Sequence, residues 1–125
     1  MIDLHMHSNC SDGTDSLEEL YEKVKAAGIT VFTLTDHDTV AGISSAILET
    51  RSYPVTVIPG VEISSALGGR IIHILGYNVE YNNPGFIGAL RVIVHYRDER
   101  NIKICAQLRS YGIIKATNKR SIHYG

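Results

Sequence analysis

The order of elements over residues 1–35 constrains this chain more than any other feature, because it reads as strand, helix, strand. Ile2 and Leu4 alternate with Asp3 and His5, a short period-two run that leads into a loop. Ser16-Leu-Glu-Glu19 is a Ser-x-x-Glu capping box, which opens a helix. Leu17, Leu20, Tyr21, Val24 and Ala27 then recur at helical spacing and make one apolar face. Gly28 follows at once, where a left-handed residue ends a helix. Ile29 to Leu34 (Ile-Thr-Val-Phe-Thr-Leu) is β-branched and aromatic and reads as a second strand. Strands joined through a helix run parallel, with a right-handed crossover. An α/β architecture follows.

The rest of the chain continues that alternation before changing character. A second helix is expected from near Thr39 to Arg51, with Val40, Ile43, Ile47 and Leu48 facing inward, and Pro54 breaks it. Val55 to Ile58 reads as a third strand, extended past Pro59 and Gly60 into Val61-Glu62-Ile63. Gly68-Gly69 marks a turn, and Arg70 to Tyr77 reads as a fourth strand. After the loop Asn82–Gly85, a long helix is expected to Tyr111, with Leu90, Ile93, Val94, Ile104 and Leu108 in the core and Gly112 as its stop. The basic stretch 113–125 is expected to be an irregular tail.

Chemistry gathers at one edge of this plan. Residues two apart on a strand share a face, so His5 and His7 can present two imidazoles to one point. Asp12 arrives on the turn Ser11-Asp12-Gly13. His37, flanked by Asp36 and Asp38, lies at the carboxyl end of the second strand. Glu62 sits between two aliphatic residues of the third, where a lone buried carboxylate would be costly, so pairing or a metal is expected. His73 lies inside an aliphatic strand, which by itself reads as a hydrogen-bonded core residue. The carboxyl ends of parallel strands are where α/β proteins build their sites. Imidazoles and carboxylates together suit Zn²⁺, Mn²⁺ or Fe²⁺.

Other classes of function are disfavoured. At 125 residues the chain is one domain by size, and its net charge of −1 with a pI near 6.6 gives no basic field for nucleic acid or membrane binding. No apolar run reaches the roughly 18 residues of a membrane span, and no signal peptide is evident. Cys10 and Cys105 make no disulfide framework, so a reduced, cytoplasmic protein is expected, with Cys10 a bystander to the ligands.

The motifs Asp3-Leu-His-Met-His-Ser8, Ser11-Asp-Gly13, Thr35-Asp-His-Asp-Thr39, Gly60-Val-Glu-Ile-Ser64 and His73-Ile-Leu-Gly-Tyr77 carry a resemblance. Their order and spacing resemble the PHP (polymerase and histidinol phosphatase) family, in its branch of stand-alone metal-dependent phosphoesterases. The resemblance covers residues 1 to about 113. It implies the amino-terminal part of a distorted (β/α)₇ barrel, α/β with parallel strands, holding up to three divalent ions (Mn, Zn or Fe). On the matching positions His5, His7 and Glu62 would hold one ion. Glu62 would bridge to a second, shared with His73, and Asp12 and His37 would hold a third. Asp12, His37 and Glu62 are thereby the expected catalytic residues, with Asp36 and Asp38 orienting His37 from behind.

The implied reaction is hydrolysis of a phosphoester by metal-activated water, on a small phosphorylated nucleotide or a nucleic-acid end. The family's Arg-x-x-Arg helix falls on Arg97 and Arg100, implying phosphate contacts there. Asp98 and Glu99 support a plain solvated face instead, and Arg91 is a weaker candidate on the same helix.

The sequence departs from the family in one respect. The family's three further ligands, a histidine and an Asp-x-His pair, are not identifiable here, and His123 is expected to be a surface residue. The expectation is therefore a partial PHP domain. Residues 1–80 form the βα part with the metal motifs, 84–112 a long helix at the start of a cap, and 113–125 the tail. An incomplete barrel predicts an exposed edge, met either by self-association or by the long helix covering the gap. The alternative is a truncated or non-catalytic PHP metal-binding module, and a plain scaffold with incidental histidines is a third reading.

Overall fold

The computed structural model describes residues 1–113. The tail expected over 113–125 and His123 lie outside the described residues, apart from Ile113. Strand β1 (Ile2–Met6), helix α1 (Leu17–Ala26), β2 (Val31–Leu34), α2 (Ile43–Glu49), β3 (Thr56–Leu67), β4 (Arg70–Tyr77) and α3 (Pro84–Ser110) follow one another along the chain. A single 3₁₀ turn, Thr50–Ser52, extends α2. The four strands form one sheet in chain order, with β1, β2 and β3 parallel and β4 antiparallel to β3. The result is a partial α/β barrel whose sheet is mixed.

The direction of β4 comes from its turn. Gly68 and Gly69 take φ of 57° and 78°, the paired left-handed conformation of a tight hairpin turn that suits the twist of antiparallel strands. No crossover helix separates β3 from β4, so the parallel series stops there. Helix α1 starts at the expected capping box, with Ser16 Oγ accepting from Glu19 N (3.2 Å) and Glu19 Oε2 accepting from Ser16 N (2.8 Å).

Helix α2 is shorter than the sequence suggests. Thr39 Oγ1 accepts from Ala41 N in a local turn, and Gly42 caps the helix, so regular structure begins at Ile43. From that start Ile43, Ala46, Ile47 and Thr50 share the inner face, while Leu48, expected inside, is 55% exposed. Ile104 and Leu108, expected in the core, are 45% and 36% exposed. Of α3, only Leu90 and Val94 are buried. This 27-residue helix spans about 40 Å and runs past the sheet that anchors its first half.

Two apolar clusters hold the layers together. Val24 and Ile29 meet Phe32 beneath α1, joined by Met6, Val55 and Val57. Val40, Ile43, Val61 and Leu90 join α2, β3 and α3, with Ile63, Phe86 and Ile93 around them. The second cluster fixes α3 across the carboxyl end of the sheet. Along the outer strand β1, Ile2 (64%) and Leu4 (41%) are exposed, as an open barrel edge requires.

Candidate metal centre

Four segments deliver side chains to the carboxyl edge of the sheet. The β1–β2 register slips by one residue between Asp3 and Met6, a bulge that re-aims side chains where the strand leaves the sheet. The His5 and His7 rings then lie 5.0 Å apart. The loop after β1 folds back on itself, with Ser11 N and Gly13 N both donating to Ser8 O (3.1 and 3.0 Å). At Gly13 a Cβ would sit 2.5 Å from His7 O, so only glycine lets the chain turn tightly enough to bring Asp12 beside His7. His37, just past β2, and Glu62, in the middle of β3, form an isolated parallel bridge, Glu62 N donating to Asp36 O (3.2 Å) and Asp38 N to Glu62 O (3.0 Å).

Glu62 is the centre of the cluster. Its Oε2 lies 2.7 Å from His5 Nε2, 3.0 Å from His7 Nε2 and 4.0 Å from His37 Nε2, and its Oε1 lies 2.7 Å from His73 Nδ1. Asp12 meets His7 Nδ1 at 3.1 Å and His37 Nε2 at 3.6 Å. His73 is thus half-exposed and turned into the cluster, unlike the core histidine that its strand alone suggested. Its partner in register is Ser64, on the same face of the hairpin as Glu62.

These six residues fit divalent metal ions. Donors about 2.0–2.2 Å from a shared tetrahedral ion stand about 3.3–3.6 Å apart, and octahedral donors about 3 Å apart. Three groups come near that spacing, with donor atoms within 4.8 Å of one another: His5, His7 and Glu62; His7, Asp12 and His37; and His37, Glu62 and His73. A carboxylate can serve two ions, whereas a neutral imidazole has one lone pair to give. His7 and His37 therefore each choose one group, and Glu62 is the residue that can belong to two. The Nδ1 atoms of His7 and His37 are also buried without a hydrogen-bond partner among the described residues, although His7 Nδ1 approaches Asp12. Buried polar atoms left in that state are costly unless something ligates them.

The titration of the cluster suits the same role. Burial works to raise the Glu62 carboxyl, but hydrogen bonds from His5 and His73 and the charge of His37 outweigh it and hold the group below its ordinary 4.5. Burial pushes His37 below its ordinary 6.5, which keeps the imidazole neutral and able to ligate. Both shifts make acid destabilising. With His37 lowered on folding, the native state binds fewer protons than the unfolded chain, so stability falls as pH drops through 6.5. Glu62, also lowered, adds stability above 4.5 that is lost on further acidification. The metal-stripped chain should therefore melt at progressively higher temperature as pH rises from 4.5 toward 6.5. Thermal melts of wild type and His37→Asn across that range check this, and an equally steep rise in the variant would assign it to other groups.

Asp36 and Asp38 flank His37 in sequence but bond elsewhere. Asp36 is 2% exposed and accepts from Ser8 N (2.7 Å), Ser8 Oγ (2.7 Å) and Ser11 Oγ (2.6 Å), tying down the loop that carries Asp12. Burial raises its carboxyl above 3.8, partly countered by the Ser11 and Ser8 contacts. Asp38 accepts from Ser64 N (2.7 Å) and from Arg97 Nη1 (2.6 Å). Serines 8, 11 and 64 carry no signature of these roles in the sequence, because each pairs with a residue at least 25 positions away.

A cleft of about 450 Å³ opens beside the cluster, between the β3–β4 hairpin and α3. Asp12, His37 and His73 line one side of it, and Tyr96, Arg97 and Arg100 the other. Arg91 instead borders a separate hollow of about 300 Å³ with Tyr81 and Asn82. His95 is exposed, 3.5 Å from Glu99 on its own helix.

A partial α/β barrel with a histidine–carboxylate cluster at its carboxyl edge has the donors of a divalent-metal site. The PHP domain model matches residues 3–121, so the chain belongs to the PHP domain family. It is 40% identical over 114 residues to a 5'-3' exoribonuclease of Haemophilus influenzae, covering 91% of this chain and 42% of that protein. It is 32% identical to a 3',5'-nucleoside bisphosphate phosphatase of Chromobacterium violaceum, covering 90% of this chain and 39% of the relative. Among solved structures, an amidohydrolase from Chromobacterium violaceum with bound sulfate superposes with a TM-score of 0.82 at 32% identity, over 90% of this chain and 39% of that one. The chain spans about two fifths of the length of these relatives.

Proposed function

We propose that this protein hydrolyses a phosphoester by metal-dependent catalysis, acting on a small phosphorylated nucleotide or a nucleic-acid end. The observation that carries the reading is the gathering of six metal-type side chains in one cluster centred on Glu62, beside a cleft walled by Arg97 and Arg100. In this reading His5, His7 and Glu62 hold one divalent ion, Glu62 and His73 a second, and Asp12 and His37 a third, with Mn, Zn and Fe all suited to the donors. Bound there, the ions would supply an activated water and Lewis-acid stabilisation of phosphoryl charge.

The protein groups bind and orient around that chemistry. The Arg97 and Arg100 guanidiniums take the non-bridging phosphate oxygens, because a planar fork matches two oxygens at once. Asp12 and His37 stand opposite them across the cleft and set the line along which the phosphate is approached. Relatives named for nucleotide and RNA substrates support that substrate class. With a net charge of −1, a small or terminal substrate is favoured over a tracked duplex.

No helix among the described residues is long and apolar enough to cross a membrane, and a cytoplasmic location is part of the proposal. So is self-association, supported by the exposed Ile2, Leu67 and Ile71 along the open sheet.

The test is metal content per chain by mass spectrometry, with a Mn²⁺-dependent phosphatase assay and light scattering on the same sample. Two or three ions per chain, with turnover lost in His37→Ala, support the reading. Stoichiometric metal without turnover favours the non-catalytic metal-binding module, and a monodisperse monomer counts against self-association.

A further inference from the structure

Asp38 is more elaborately held than a bystander to His37 would be. Its side chain is fully buried, and its backbone takes φ 56°, a left-handed conformation that a non-glycine residue adopts only under local constraint. The constraint is visible on three sides. Asp38 N donates to Glu62 O at 3.0 Å, Oδ1 accepts from Ser64 N at 2.7 Å, and Oδ2 accepts from Arg97 Nη1 at 2.6 Å. The first two contacts grip β3 on either side of Ile63, the third grips α3, and so one residue fastens the strand bearing Glu62 to the helix bearing Arg97.

Arg97 is correspondingly poised. Its side chain is 20% exposed, one turn beyond the buried Val94, and it lines the cleft with Asp12, His37 and His73. The guanidinium has five N–H donors and, among the described residues, Asp38 engages one nitrogen, leaving the other donors to face the cleft. An unpaired long arginine would sample many rotamers and bind an anion at the cost of ordering it. A charge-assisted contact to a buried carboxylate removes that cost in advance.

We infer that Asp38 is a positioning residue for phosphate recognition, orienting the Arg97 guanidinium toward an anion in the cleft while leaving the donor cluster itself intact. This rests on the proposed role of Arg97 in phosphate binding and adds the residue that makes that role effective. Asparagine is the informative substitution, because it tolerates the left-handed conformation and keeps an oxygen for Ser64 N while removing the charge that holds Arg97.

The experiment is calorimetric titration of the full chain with inorganic phosphate, at equal metal content, for wild type, Asp38→Asn, Arg97→Gln and the double variant. Losing one charge-assisted contact should weaken phosphate binding about 10- to 100-fold in each single variant. The double variant should bind no more weakly than Arg97→Gln alone, since both changes remove the same contact. Amide exchange over α3 should quicken in Asp38→Asn. Should that variant fail to fold, Arg97→Lys keeps the charge but loses the fork and should still show the loss in affinity. Wild-type affinity in Asp38→Asn, losses that add in the double variant, or an unaffected Arg97→Gln would each overturn the inference. Coupled phosphate binding in a chain that hydrolyses no phosphoester would leave the inference standing and remove the hydrolase reading.

Discussion

Glu62→Gln is expected to empty the centre and abolish turnover. Glu62 is the residue that both carboxylate oxygens place in contact with histidines from β1, from the loop after it and from β4. Glutamine keeps the volume and the apolar contacts of the side chain, so folding should survive. What it removes is the charge that two ions would share, and it replaces one acceptor oxygen by a donor nitrogen facing an imidazole. Charge stabilisation by a metal contributes several kcal/mol to a phosphoryl transition state, so turnover should fall by about a thousandfold or more. Metal content per chain should fall in parallel, most of all at the two positions that Glu62 would share. Retention of full metal content and activity in this variant would remove Glu62 from the centre and with it the proposed arrangement.

Asp36→Ala is the second large effect, and it should appear in stability before chemistry. Ser8 is fully buried, and its N–H and hydroxyl both point at Asp36 along with the hydroxyl of Ser11. Alanine leaves those donors without their acceptor, and each unsatisfied buried donor costs about 1–3 kcal/mol, giving an expected loss of about 3 kcal/mol or more. Asp36→Asn restores one acceptor and keeps the volume, so it should lose less. Because the loop from Ser8 to Gly13 carries Asp12, the alanine variant should also release metal more readily while His5, His7 and Glu62 remain in place. Urea unfolding of both variants decides this, and a loss below about 1 kcal/mol for alanine would show that the loop is held by other means.

Much of this molecule was legible in the linear pattern. The capping box at Ser16, the period of α1 and the β-branched run into Leu34 are local signals, and local structure follows them closely. The candidate donors at the strand ends were legible too, because histidine and carboxylate carry their chemistry with them. The extent of α2 and the fate of Ile104 and Leu108 were not. Whether Thr39 continues a helix or makes a turn depends on what its hydroxyl bonds, and whether an aliphatic residue is buried depends on what stands opposite it. Periodicity reports a face and is silent about a partner.

The same division runs through the centre. By itself the sequence determined the βαβ beginning, the turn at Gly68-Gly69 and five candidate donors, with His73 added by the family resemblance, since propensity, turn chemistry and residue type are properties of short stretches. The antiparallel course of β4 came only with the fold. Tertiary structure alone decided that His73, within β4, turns its ring to Glu62 at 2.7 Å, that Asp36 serves a loop 25 residues or more before it, and that Asp38 holds Arg97 from 59 residues away. Each of those contacts forms because parallel crossovers and a covering helix bring distant segments to one edge, and no spacing along the chain encodes a distance that only folding closes.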